Sequence, residues 1–212
     1  MRIIVTAGPT REFFDSVRFI SNPSSGKMGY AIAAEAARRG HEVVLVSGPV
    51  DLPRMSGVRV VDVVSAGEML RACVGEFERC HAVVMTAAVC DYRPARRLHK
   101  KLKKQNRNRS ILLQPTEDIL ARLGRMKGPR VIVGFAMEDH DRHKHAEAKL
   151  RRKRCDAIVL NGIGNVGSDD AEVQILTADD GWSTPRSGTK HQIASVITDL
   201  VEALTGIRKE SC

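Results

Sequence analysis

The sequence is poor in aromatics: Phe, Trp and Tyr together are 4% of 212 residues. Single-stranded nucleic acid is held by bases stacked on such rings, so a nucleic-acid partner is not expected on this ground. No apolar run approaches the ~20 residues of a transmembrane helix, and no membrane partner is expected. The opening MRIIVTAG lacks the apolar stretch and cleavage site of a secretory leader, which implies a cytoplasmic location. Cys73, Cys80, Cys90, Cys155 and Cys212 contain no CxxC pair, and an odd count argues against a closed disulfide framework. Reduced, mostly buried thiols are expected, with Cys73 and Cys80 two turns apart on one helical face.

Several nucleotide and catalytic signatures are also missing. There is no GxGxxG, which counts against a standard dinucleotide site and a Rossmann-type dehydrogenase. A P-loop would need glycine at position 21 and a hydroxyl residue at position 28, where Ser21 and Met28 stand. His140, His143 and His145 lie close together but match neither HExxH nor a Cys-paired pattern, so metal ligation is not expected of them. No Ser–His–Asp or Cys nucleophile arrangement is evident.

Charge is present but uneven. The net charge is +9, and the stretch from Tyr92 to Thr116 holds nine Lys/Arg and no acid. Removing those nine from the 34 basic residues leaves 25, equal to the 25 acidic ones. The body is neutral and the basicity belongs to one segment, a local device for anions.

Apolar runs at Arg2–Ala7, Glu42–Val46, Val58–Val63, Ala82–Thr86, Arg130–Gly134 and Asp156–Leu160 alternate with helical patterns near Lys27–Arg39, Ala66–Cys80, Glu117–Arg125 and Asp141–Arg154. That alternation predicts an α/β fold with a Rossmann-like doubly wound, mostly parallel sheet. Glu172–Thr177 and Gly181–Pro185 read as a C-terminal antiparallel pair, followed by a helix over Lys190–Leu204. A single domain over 1–212 is expected, with a basic arm or flap inserted at about 92–114 and a strand resuming at Ile111–Leu113. The Gly- and Asn-bearing stretch Asn161–Asp170 reads as a loop.

The stretch Gly8–Gly29 is the unusual connection. Strand-to-helix loops usually run ~2–6 residues. Its end, SSGKMG, offers Ser24, Ser25, Gly26 and Lys27 at a helix N-terminus, where oriented N–H groups bind anions; the bland alternative is an ordinary capped helix. Asn22 could hold an acyl oxygen and Arg18 a carboxylate or phosphate, although Asn-Pro-Ser-Ser is also plain turn chemistry. Ala87, Ala88 and Asp91 follow a strand end, where ligands of parallel sheets lie; Asp91 could instead cap the next turn. Lys100, Lys101, Lys103 and Lys104 form a charge run that is most simply a solvated face; against that, an arm of like charge repels itself unless an anion such as a triphosphate joins it. Lys149 and Lys153, four apart, project from one helix face, with an exposed basic helix as the simpler reading.

Six segments in order, VTAGPTRE, VRFISNPSSGKMGYAIA, TAAVCDYRP, KLKK, GFAME and AKLRRKRCDAIVLN, resemble the phosphopantothenate–cysteine ligase family, also called phosphopantothenoylcysteine synthetase. They run from Arg2 to about Asn161, with weaker likeness beyond. Many bacterial members carry a fused flavin decarboxylase; these residues correspond to the ligase portion. The resemblance implies a ligase of coenzyme A biosynthesis. Phosphopantothenate would react with a nucleoside triphosphate to give an acyl-nucleotide, and cysteine would then displace the nucleotide. CTP is favoured over ATP because SSGKMG looks bacterial, and Mg²⁺ would accompany the triphosphate.

The same resemblance assigns roles. Asn22 would lie at the acyl group with Arg18 beside it, and Ser24, Ser25, Gly26 and Lys27 would face phosphate. Ala87, Ala88 and Asp91 would line the base and substrate crevice. Lys101 would stabilise triphosphate charge, and Phe135 would pack on the nucleotide with Lys149 and Lys153 nearby. A homodimer is implied. FFDSVR stands where an Ile-Asp-Pro-Val-Arg run is common, Cys90 where Ala is usual, and QPTEDIL where NPDIL is usual. The competing function class is a nucleic-acid-binding module acting through the arm at 92–114.

Overall fold

The computed structural model describes residues 1–165 and 167–206. Cys212 lies outside the described residues, as does Val166 of the expected 161–170 loop. The chain forms β1 (Arg2–Ala7), β2 (Arg11–Phe13), β3 (Phe19–Ser21), α1 (Lys27–Arg38), β4 (Glu42–Ser47), β5 (Arg59–Asp62), α2 (Ala66–Phe77), β6 (Ala82–Met85), β7 (Tyr92–Pro94) and β8 (Leu113–Pro115). Then come α3 (Ile119–Arg125), β9 (Val131–Met137), α4 (Arg142–Lys153), β10 (Ala157–Asn161), β11 (Asp170–Thr177), β12 (Gly181–Trp182), β13 (Arg186–Thr189) and α5 (Lys190–Leu204).

The main sheet runs β12-β11-β10-β9-β6-β1-β4-β5, with β13 also on β11. The six strands from β10 to β5 are parallel, and β11 to β13 add antiparallel pairing at one edge. This is the doubly wound, mostly parallel sheet expected, with its C-terminal antiparallel pairing. Successive side chains of a strand face opposite ways, and β1 divides accordingly. Ile3, Val5 and Ala7 join Ile32 and Ala36 of α1 and Ile193 and Ile197 of α5. Ile4 joins Met69 and Phe77 of α2, Leu123 of α3 and Ala146 of α4. Strands covered on both faces need the near-continuous apolar runs that the sequence displays. Among the described residues no helix is long and apolar enough to cross a membrane.

Three details differ from expectation. The Gly8–Gly29 connection is not wholly irregular: β2 and β3 make a hairpin inside it. Helix α2 ends at Phe77, because the chain must reverse there to set Ala82 beside Ile3. Cys80 is therefore not on the helical face of Cys73; it is buried past the helix end, its Sγ donating to the Phe77 carbonyl at 3.1 Å. The strand expected at Ile111–Leu113 lies at Leu113–Pro115, paired with β7 in a two-stranded sheet apart from the main one. Ile111 and Leu112 are exposed.

Candidate active site

Between β1 and β6 the sheet order changes direction, and a crevice opens beyond the carboxyl ends of the strands. The loops leaving those two strands are stitched together. Ala88 N donates to the Gly8 carbonyl at 3.0 Å, and Cys90 N to Thr10 Oγ1 at 2.9 Å. The resulting cleft has a volume of about 680 Å³, within the range of small-molecule sites.

One end of the cleft is the start of α1. Gly26 occupies the N-cap in the left-handed region, φ 77°, and no side chain caps the helix. The N–H groups of Lys27, Met28 and Gly29 have no acceptor among the described residues, so the positive end of the helix faces the cleft. Gly29 lets the helix start press on the sheet: a Cβ there would lie 2.6 Å from Ala7 Cβ and from Thr86 Oγ1. Lys27 Nζ pairs with Asp169 at 2.6 Å. Asp169 is largely solvated, and such a pair is weak enough to exchange for a phosphate. Lys190, the first residue of α5, also lines this end; it is buried and donates to the carbonyls of Asn165 and Ser168. Burial, then the neighbouring Lys27 charge, push the Lys190 ammonium below its ordinary value.

The other end is built by β9 and α4. Lys149 Nζ donates to the Phe135 carbonyl at 2.7 Å, and burial lowers its pKa. Lys153, also buried and also lowered chiefly by burial, pairs with Asp118 at the head of α3. The helical spacing read from the sequence does converge, but on a cleft wall rather than an open face. Asn22 lies on the hairpin side, its Nδ2 donating to the Ala88 and Val89 carbonyls at 3.1 and 3.2 Å.

Of the residues singled out from sequence, Asn22, Ser24, Ser25, Gly26, Lys27, Ala87, Ala88, Asp91, Phe135, Lys149 and Lys153 line this cleft. Arg18 and Lys101 do not. The Arg18 guanidinium turns instead to Asp15, at 2.6 Å, and to the Leu102 carbonyl. Lys101 is exposed on the arm. Sequence reasoning missed Lys190, Asp118 and Thr116, which all line the cleft. Lys190 carried a signal: a lysine opening a helix opposes the helix dipole and needs another reason to be there. His143 bonds Gln174 and stacks edge-on against Trp182, while His145 pairs with Glu138 and His140 with Asp139.

Residues 1–204 match the family described as the DNA/pantothenate metabolism flavoprotein C-terminal domain. The chain belongs to this family. The family resemblance carried by the six sequence motifs is thereby borne out. The chain is similar to the coenzyme A biosynthesis bifunctional protein CoaBC of Bacillus subtilis (strain 168), 41% identical over 177 residues, covering 82% of this chain and 44% of that protein. It is 47% identical over 169 residues to a cysteine/cysteine sulfinic acid decarboxylase of an unknown prokaryotic organism, covering 79% of this chain and 47% of that protein. The chain thus spans about half the length of these curated relatives. The crystal structure of the C-terminal domain of a CoaBC protein aligns with a TM-score of 0.82 at 39% identity, over 98% of this chain and 96% of that one.

Proposed function

We propose that this chain is a phosphopantothenate–cysteine ligase of coenzyme A biosynthesis that works through an acyl-nucleotide, with CTP favoured as activator. The observation that carries the reading is one cleft that joins the uncapped start of α1, the Lys149–Lys153 pair and Asn22. A reaction that brings the carboxylate of a phosphorylated acid to a triphosphate needs two anion-holding ends and little else from side chains. Adenylyl or cytidylyl transfer rests on positioning and charge stabilisation more than on a nucleophilic residue.

In this reading the phosphopantothenate carboxylate oxygen attacks the α-phosphorus and pyrophosphate leaves. The cysteine amine then attacks the acyl carbon, and the nucleoside monophosphate leaves with the bonding pair. Ser24, Ser25 and Lys27, with the free N–H groups after Gly26, take phosphate oxygens. Lys149 and Lys153 exchange the Phe135 carbonyl and Asp118 for phosphate charge. Ala87, Ala88 and Phe135 present small or flat surfaces to the nucleotide, Asp91 faces the crevice, and Asn22 holds the acyl oxygen. Lys101 reaches the triphosphate from the arm.

Mg²⁺ would supply charge neutralisation on the phosphates. Among the described residues no three His, Cys, Asp or Glu side chains are grouped as ligands. Single cleft carboxylates such as Asp91 and Glu117 suit an ion held mainly by phosphate and water. A homodimer, with exposed Val17, Phe19, Tyr92 and Leu112 as its apolar contact, belongs to the same proposal, and free thiols at Cys73, Cys80, Cys90 and Cys155 suit a cytoplasmic setting. The test is pyrophosphate release from phosphopantothenate, cysteine and Mg²⁺ with CTP and with ATP side by side. Release is expected, faster with CTP; none with either nucleotide would sink the reading.

A further inference from the structure

Asp15 sits in the turn of the β2–β3 hairpin and is completely buried. Its Oδ1 accepts the N–H groups of Val17 and Arg18 at 2.8 and 2.7 Å, which closes the turn. Its Oδ2 accepts the Arg18 guanidinium through Nε at 2.9 Å and Nη2 at 2.6 Å. A buried carboxylate so paired would already be satisfied within the hairpin. Yet Oδ2 also accepts the N–H of Leu102 at 3.0 Å, and Arg18 Nη2 donates to the Leu102 carbonyl at 2.6 Å. Both backbone polar groups of one arm residue are therefore captured by a pair of side chains more than eighty positions earlier. A second backbone tie joins Leu98 N to the Phe14 carbonyl at 2.9 Å, with Arg97 lying 4.9 Å over the Phe13 ring. From Lys103 to Leu112 every residue is exposed.

We propose that Asp15 and Arg18 are positioning residues: a latch that grips the basic arm by the backbone of Leu102 and so sets Lys101 for the nucleotide. This rests on the ligase reading of Lys101. The chemistry of the grip suits the task. An arm with nine like charges repels itself, and a grip on its lysine side chains would spend the cations that the triphosphate needs. Gripping the main chain leaves Lys101 and Lys103 on either side of Leu102 exposed. Burial works against ionisation of Asp15, but the N–H groups of Arg18, Leu102 and Val17 and the Arg18 guanidinium outweigh it and hold the carboxyl well below its usual range. The carboxylate of the latch is therefore held in its charged form at neutral pH. It also accounts for an arginine of the motif region that does not line the cleft.

The test uses Arg18→Gln, which cuts the side-chain half of the latch, and Leu102→Pro, which removes one N–H from an arm outside the core. Tryptic cleavage at Lys103 and Lys104 should quicken by about tenfold or more in both, because a released segment is cut in its open state. Pyrophosphate release at low nucleotide should slow by about tenfold, as for a misplaced positioning group. Adding Lys101→Gln to either variant should cost no more than Lys101→Gln alone, since residues acting as one unit are not additive. Unchanged cleavage overturns the latch. Faster cleavage with unaltered pyrophosphate release, or losses that multiply with Lys101→Gln, overturns its positioning role. Wild-type protein that releases no pyrophosphate overturns the ligase reading and the positioning role with it, while the cleavage rates still report whether the latch exists.

Discussion

Asp118 caps α3 with one carboxylate oxygen, accepting the Ala121 N–H at 2.8 Å, and holds the Lys153 ammonium with the other. One side chain thus starts a helix and restrains a cation of the cleft. The two tasks separate on substitution. Asn caps as well as Asp but carries no charge. Asp118→Asn should leave the melting temperature close to wild type and tighten triphosphate binding up to about fivefold, the worth of ~1 kcal/mol for a pair whose carboxylate is half-exposed. Asp118→Ala should in addition cost about 1 kcal/mol of stability through the lost cap. Thermal melts beside nucleotide titrations check both; weaker binding by Asp118→Asn would mean that the carboxylate serves the ligand rather than competing with it.

The two half-reactions should divide between Asn22 and Lys101. With Asn22→Asp, pyrophosphate release should persist while amide formation slows by about a hundredfold, the size of losing one oriented donor. With Lys101→Gln, pyrophosphate release itself should fall. Quenched-flow measurement of pyrophosphate and amide product separates the steps, and equal loss of both steps in both variants would contradict the assignment.

Gly29 is a packing residue at the cleft. Its missing Cβ leaves α1 against β1: a methyl would meet Ala7 Cβ at 2.6 Å and the Thr6 carbonyl at 2.8 Å, both held in the sheet. Gly29→Ala should destabilise the fold by about 1–3 kcal/mol, the usual penalty of overpacking, and displace the uncapped helix start proposed to take phosphate. Denaturant unfolding with an anion titration checks the pair of effects. A variant of unchanged stability would show that the helix can shift freely.

Lys149 predicts a pH dependence. Burial lowers its pKa from the ordinary 10.5, so the folded protein holds fewer protons than the unfolded chain in the window between the lowered value and 10.5. Its burial penalty on stability is full below that window and fades as pH rises through it. In the proposed ligase reading, nucleotide binding should have the opposite sense. A bound triphosphate restores the charge, so binding should take up protons and weaken as pH rises through the lowered value. Lys149→Arg, which keeps its charge, should flatten that fall. Calorimetry in buffers of different ionisation enthalpy measures the uptake; none at alkaline pH would remove Lys149 from the site.

The main sheet was legible because its strands are covered on both faces, which demands runs such as RIIVTA and AVVMT that few other structures use. Helix α5 was legible to its ends, because Thr189 and Gln192 form a capping box in front of an apolar stripe. The boundary of α2 was not. Its amphipathic pattern runs on past Phe77, and only the pairing of Ala82 with Ile3 stops it. The cleft was legible wherever a residue follows a strand end or opens a helix, as for Ala87, Ala88 and Ser24 to Lys27. Lys190 and Asp118 were hidden because they reach the cleft from α5 and α3, elements whose own patterns say nothing about what lies opposite.

By itself the sequence determined the sheet order's raw material, the neutral body with one basic segment, and the glycine-bearing helix start. These are properties of neighbours along the chain: periodicity, local charge and the steric freedom of a residue without Cβ. Tertiary structure alone decided that Arg18 reaches the Leu102 carbonyl rather than the cleft, and that Lys27 meets Asp169 far along the chain. A guanidinium or ammonium satisfies its donors with whatever acceptor folding brings within about 3 Å. No local pattern encodes which one that will be.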